Sequence, residues 1–173
     1  MSAFADSSAL VKLYADEAGH EQVCGLVSIA VAQLARVEVP AALWRKQRMG
    51  ELSAGDARLL TADFEADYFG TDSEPPRFAA VALTGSLLDE AAKLCASHRH
   101  RAYDAVQLSA AMAVRRVDES CTEFAAFDRS LRTAAATEGF ELRPSDLPEP
   151  ETARCHIAAG AHRGPGAWQA GPL

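Results

Sequence analysis

The chain of 173 residues, 49% hydrophobic and 24% charged, has the size and make-up of one soluble globular domain, long enough to bury a real core. Its formal charge of −7 argues against a broad basic surface for gripping nucleic acid, unless several acids are pooled at one cation-binding site. No apolar run approaches a membrane span, MSAFADSSAL lacks the basic-then-apolar pattern of a secretion signal, and Cys24, Cys95, Cys121 and Cys155 fall without a CxxC. The expectation is a cytoplasmic protein with no membrane segment, zinc site or disulfide framework.

The opening SAFAD is short and apolar and ends in Asp6. SSALVKLYADEAG then has helical spacing at Leu10, Leu13 and Tyr14, with a glycine stop at Gly19. This pattern predicts a strand, an acid at the turn, and a helix. His20 to Val27 reads as a second short helix, and SIAVAQ, Ser28 to Gln33, as a buried strand. A helix then runs through Leu43, Trp44 and the basic Arg45 to Arg48 as far as Gly50. Pro40 belongs in a first helical turn, so this helix is predicted to begin between Ala35 and Pro40, with Glu38 at its entrance.

From Ser53 an S-x-x-D pattern caps a helix with Leu59, Leu60, Phe64 and Tyr68 on one side. GTDSEPP, Gly70 to Pro76, is a loop. Arg77 to Leu83 reads as a third strand, and Thr84 to Arg99 as a helix with Leu87, Leu88, Ala91, Leu94 and Cys95 facing inward. His100 to Val114 is helical and apolar on almost every side, which predicts burial, yet it carries one carboxylate, Asp104, in its first turn. Such an acid needs a cation, and the local candidates are Arg101 and His100. TEFAAFD is a fourth apolar strand ending in Asp128; RSLRTAAATEG is a helix terminated at Gly139, and Phe140 to Arg143 a last strand. The domain is therefore taken as 1–147. The Gly-, Pro- and Ala-rich 148–173 has no apolar period and reads as a disordered tail, its His156 and His162 having no evident partner ligands.

Short apolar strands alternating with helices predict an α/β fold with a central parallel sheet covered on both faces, whose working crevice lies beyond the carboxyl ends of the strands. Asp6 and Asp128 are expected there as residues that end strands, Glu38 as the opening of a helix after a strand, and Asp104 as the opening of a helix that follows another helix. Each acid has a plain alternative: Asp6 is an equally good N-cap for its helix. Together, four carboxylates without neighbouring lysines repel one another, a conflict that Mg²⁺ or Mn²⁺ resolves through all-oxygen ligation. Metals held there would polarise a phosphodiester and generate a hydroxide nucleophile. An aspartyl phosphatase would want an acid where Ser8 stands, and no phosphate-binding glycine loop or nucleophile elbow is present. The basic clusters Arg45–Arg48, Arg99–Arg101 and Arg129 with Arg132 read as solvated helix faces or as phosphate contacts.

FADSSALVKLY, ARVEVPAALWRKQRMG, HRAYDAVQLSAA and FAAFDRSL, in that order and spacing, resemble the PIN-domain ribonucleases, and most closely the VapC toxins of bacterial and archaeal toxin–antitoxin pairs, over roughly Phe4 to Pro144. The resemblance implies a three-layer α/β/α PIN-like fold with about four to five parallel strands. It also implies a Mg²⁺- or Mn²⁺-dependent endonuclease that cuts RNA, a homodimer, and inhibition by a cognate VapB-type antitoxin. By position, the family's four acids fall on Asp6, Glu38, Asp104 and Asp128. Asp6 and Asp104 are then direct metal ligands, Glu38 orients water or a second metal, Asp128 holds metal through water, and Ser8 supports the first acid. Two other readings stay open: a catalytically silent PIN-like binding module, and a DNA or flap nuclease with the same metal site.

Overall fold

In chain order the computed structural model contains β1 (Ser2–Ala5), α1 (Ser7–Tyr14), β2 (Ala15–Asp16), α2 (His20–Cys24), β3 (Ser28–Ala32), α3 (Ala35–Arg48) and α4 (Ala54–Phe69). Then follow β4 (Phe78–Val81), α5 (Gly85–His98), α6 (Ala102–Val117), β5 (Cys121–Ala125), α7 (Arg129–Thr137), β6 (Glu141–Arg143) and β7 (His156–Ile157). Residues 2–98, 101–147 and 156–157 are described by the structure. The sequence expectation for 148–173 therefore falls almost wholly outside the described residues; β7 pairs antiparallel with β2.

Five strands form one sheet in the order β4-β3-β1-β5-β6, and every neighbouring pair is parallel. The chain starts in the middle: β1 is buried along its whole length between β3 and β5. Parallel strands need crossovers, and the helices that supply them cover both faces, which is why the inner strands read as unbroken apolar runs. Alternate residues feed opposite layers. Ala5, Ile29 and Val31 pack with Leu10, Leu43, Leu60 and Phe64 from α1, α3 and α4. Phe4, Ala30 and Ala32 pack with Leu87, Leu94, Leu108 and Leu131 from α5, α6 and α7. The architecture is three-layered α/β/α, as expected. Among the described residues no helix is long and apolar enough to cross a membrane.

α6 is buried through its middle, where Ala105, Leu108, Ala110 and Ala111 have no exposed surface. Its ends are not: Tyr103 and Val117 face solvent. Several expected boundaries shift. The first helix stops at Tyr14, because the chain extends into β2 before reaching Gly19. α3 starts at Ala35, so Pro40 stands in its second turn rather than its first. Leu88, expected to face inward, is exposed, as is Leu59 on α4. β5 ends at Ala125, so Asp128 lies three residues beyond the strand it was expected to end.

At the far end of the α1 and α3 pair, Lys46 meets Glu17 at 2.8 Å and Glu51 at 2.9 Å, while Lys12 meets Glu17 at 3.2 Å. In the loop before α2, Gly19 has φ +99°, and a Cβ there would lie 2.3 Å from the Phe127 ring. Only glycine satisfies both the backbone and that close approach. Lys12 Nζ sits 4.4 Å from the centre of the same ring.

Candidate active site at the carboxyl edge of the sheet

Asp6 follows the central strand directly, and its amide donates to Ala125 O on β5 at 3.0 Å, so its backbone is fixed by the sheet. The side chain caps α1: Oδ1 accepts from Ala9 N at 3.2 Å and from Ser8 Oγ at 2.7 Å. Ser8 Oγ in turn accepts from the Phe127 amide at 2.8 Å, which joins the loop after β5 to the first acid. Asp6 is only 6% exposed. Burial pushes its carboxyl up to about 7, against the pull of Ser8 and the Ala9 and Ser8 amides, and the nearby Glu38 charge pushes it further up. The cap and the awkward acid are thus one residue. Helix-start amides stabilise the carboxylate, but they do not outweigh its loss of water.

Glu38 is half-buried in the first turn of α3. Its Oε2 accepts from Ser7 Oγ at 2.6 Å and from Gln107 Nε2 at 2.7 Å. Gln107 lies on α6, three residues after Asp104, and side chains at that spacing share a helix side. Asp104 itself is half-buried in the first turn of α6. The start of α1, the start of α3 and the first turns of α6 therefore converge through the Ser7, Glu38 and Gln107 cluster.

Asp128 is exposed and caps α7, its Oδ1 accepting from Leu131 N at 2.9 Å. It is tied to the cluster only through the chain, its neighbour Phe127 holding Ser8. Among the described residues no three His, Cys, Asp or Glu side chains form a group that could hold a metal ion. The Glu38 charge thus reaches Asp6, Asp104 lies one turn from a Glu38 partner, and Asp128 sits on its own helix cap.

The donor set is nevertheless that of a hard cation. Oxygen atoms of Asp6, Ser8, Glu38 and Ser7 meet here with no sulfur or imidazole among them, and Gln107 Oε1 is buried without a hydrogen-bond partner. An all-oxygen donor set of this kind is what Mg²⁺ or Mn²⁺ selects.

Sequence reasoning passed over Ser7 and Gln107. Ser7 belongs to the DSS start and could have been read from it, whereas Gln107, the one amide on an apolar stretch, takes its role from partners distant in sequence. The basic clusters sort differently from their sequence reading. Lys46 is held by two glutamates. Arg132 is buried and donates to the carbonyls of Ala126, Pro144 and Ser145 at 2.7–3.0 Å, so it fastens the strap after β6 rather than a phosphate. Arg101, which precedes the Asp104-bearing first turn of α6, and Arg129, next to the Asp128 cap of α7, are exposed and keep the phosphate reading; Arg99 and His100 lie outside the described residues.

No protein-family model matches the chain. Two curated proteins of Mycobacterium tuberculosis, named ribonuclease VapC45 and ribonuclease VapC49, are each 31% identical to it over 146 residues, covering 82% of this chain and 94% of the relative. The solved structure of VapC20 from the same species, described as a sarcin–ricin loop cleaving toxin, superimposes with a TM-score of 0.55. That match takes in 85% of this chain and all of the other, at 18% identity, and it establishes the shared fold.

Proposed function

Because the chain belongs to the VapC family of PIN-type ribonucleases, we propose that it is a Mg²⁺- or Mn²⁺-dependent endoribonuclease serving as the toxin of a type II toxin–antitoxin pair. The observation that supports the metal dependence is Asp6, a carboxyl only 6% exposed whose donors are the Ser8 hydroxyl and the Ala9 amide, with the Glu38 charge close enough to push its pKa further up. A divalent cation offsets that cost and, when bound, polarises the scissile phosphate and lowers the pKa of its water.

The chain's own residues divide the remaining work. Asp6 and Asp104 are the direct ligands, each at the start of an element anchored in the core. Ser8 holds Asp6 Oδ1 in place. Glu38 orients water or a second metal, and Asp128 acts through water from the rim. Exposed Arg101 and Arg129 would meet phosphates on either side of the scissile bond. The partners are RNA, a cognate VapB-type antitoxin whose segment enters the acidic groove, and a second copy of the chain. For that copy, the Trp44 region is the candidate contact surface; the α4 face from Leu59 to Tyr68, also expected from the sequence to serve, is taken up by the core, with Leu60, Phe64 and Tyr68 buried and Leu59 40% exposed.

The test is cleavage of RNA by the purified chain with Mn²⁺ and with EDTA, beside Asp104→Asn. Metal-dependent scission by the parent and loss in the variant are expected; no scission under either condition would overturn the reading. The exposed, capped position of Asp128 favours the rival, a binding module without turnover, for which the same assay gives no product. Parallel DNA substrates separate an RNase from a DNA or flap nuclease.

A further inference from the structure

Gln107 stands where folding alone would favour a hydrocarbon. It is 3% exposed, and its helix neighbours Ala105, Leu108, Ala110 and Ala111 are fully buried and apolar. Both of its amide hydrogens are used: Nε2 donates to Glu38 Oε2 at 2.7 Å and to Ser7 Oγ at 3.1 Å. Ser7 Oγ closes the triangle by donating to the same Glu38 oxygen at 2.6 Å. The orientation of the amide follows from chemistry, since turning it over would set a carbonyl oxygen against a carboxylate.

This arrangement leaves Gln107 Oε1 buried with no donor among the described residues. An unsatisfied buried acceptor costs more than one neutral hydrogen bond returns, so an apolar side chain of equal length would serve the core better. What the amide gains is control of Glu38. Two donors on different elements, one at the start of α1 and one on α6, grip a single oxygen of a residue on α3. α1, α3 and α6 are thereby tied together at the starts that carry Asp6, Glu38 and Asp104, and the second glutamate oxygen is left for other partners.

We propose that Gln107 is a positioning residue for the reaction: with Ser7 it holds Glu38 by Oε2, frees Glu38 Oε1 for the divalent cation, and offers its own Oε1 as an acceptor for water on that cation. It also fixes Asp104, one turn earlier on the same helix, relative to Glu38. This rests on the metal-dependent reading of the site, and it names a residue outside the four acids that sets their geometry. Partners that orient metal ligands in this way commonly change affinity or activity by about 10–100-fold when removed.

The test uses the full chain and three substitutions: Gln107→Met, nearly isosteric and without hydrogen bonds, Glu38→Gln, and both together. Mn²⁺ affinity is read by titration calorimetry, and kcat and KM by cleavage of a labelled RNA. Gln107→Met is expected to weaken Mn²⁺ binding and lower kcat, each by about tenfold, with KM for RNA within about twofold of the parent. On the Glu38→Gln background the same change should add less than about twofold, because its effect runs through Glu38. Should Gln107→Met fail to fold, Ser7→Ala removes the other grip on Oε2 and should shift Mn²⁺ affinity in the same direction. A variant with parental Mn²⁺ affinity and kcat, or effects that multiply in the double substitution, would overturn the proposal while leaving the nuclease reading intact. A parent that takes up no Mn²⁺ and cuts no RNA would overturn both.

Discussion

The α1 and α3 pair treats charge in opposite ways at its two ends. At the far end Lys12, Glu17, Lys46 and Glu51 interlock, with every contact between 2.8 and 3.2 Å. At the end facing the carboxyl edge of the sheet, the same helices begin with Asp6 and Glu38, two acids within reach of each other, and burial leaves the first with a pKa of about 7. Hydroxyls, amides and helix starts soften that conflict without removing it. A fold selected for stability alone would treat both ends like the first. The contrast locates function where charge is held at a cost, and it can be attacked from either end.

The largest expected effect is on turnover. Asp6→Asn keeps an N-cap but removes the charge, and should lower metal-dependent RNA cleavage by about 10²–10³-fold, the scale seen when a charge-stabilising group is lost. Cleavage at the parental rate would break the comparison at once. The same variant should be more stable than the parent in EDTA at neutral pH. Between the ordinary aspartate value of 3.8 and about 7, the unfolded chain releases its Asp6 proton while the folded chain keeps it. Parental stability therefore falls as pH rises through that window, by on the order of 2–4 kcal/mol, and Asp6→Asn should be spared the fall. Urea unfolding at pH 5 and pH 8 measures both.

At the matched end the sign should reverse. Lys46→Met leaves Glu51 without its lysine and Glu17 with Lys12 alone, and is expected to cost about 1–2 kcal/mol, discounted because both pairs are partly in contact with water. A gain instead of a loss in thermal midpoint would show that this end is no better matched than the other. The smallest effect is expected at Asp128. Asn caps a helix as well as Asp, so Asp128→Asn should change stability by less than about 0.5 kcal/mol. It should also reduce cleavage less than Asp6→Asn does, as suits a group acting from the exposed rim.

Much of this was legible in the sequence because it rests on periodicity. Apolar runs such as SIAVA are bounded by turn signals, and the S-x-x-D start of α4 is realised as a bond from Asp56 N to Ser53 Oγ. Asp6 was readable both as a cap and as a site acid, and it is a cap whose burial makes it costly. What could not be read is decided by tertiary partners. Arg132 follows Arg129 at helical spacing and looks like a solvated pair, yet its guanidinium is buried among carbonyls supplied from 126 and from 144–145. Asp128 seemed to end a strand because Ala126 and Phe127 continue the apolar run, but the ladder with β6 stops at Ala125. Gln107 carried no periodic signal at all, since its value lies in Ser7 and Glu38, 100 and 69 residues away.

The packing of Gly19 against Phe127 gives the acid edge a remote control. A side chain at Gly19 would displace the ring, and the amide of that ring's residue is the donor that holds Ser8, which holds Asp6. The cascade runs from the Gly19 loop through an aromatic ring, a backbone amide and a hydroxyl to the buried Asp6 carboxyl. Random mutagenesis screening for loss of toxicity should therefore return Gly19 beside the carboxylates, and a relaxed variant there offers a way to attenuate the protein while every reactive group stays in place.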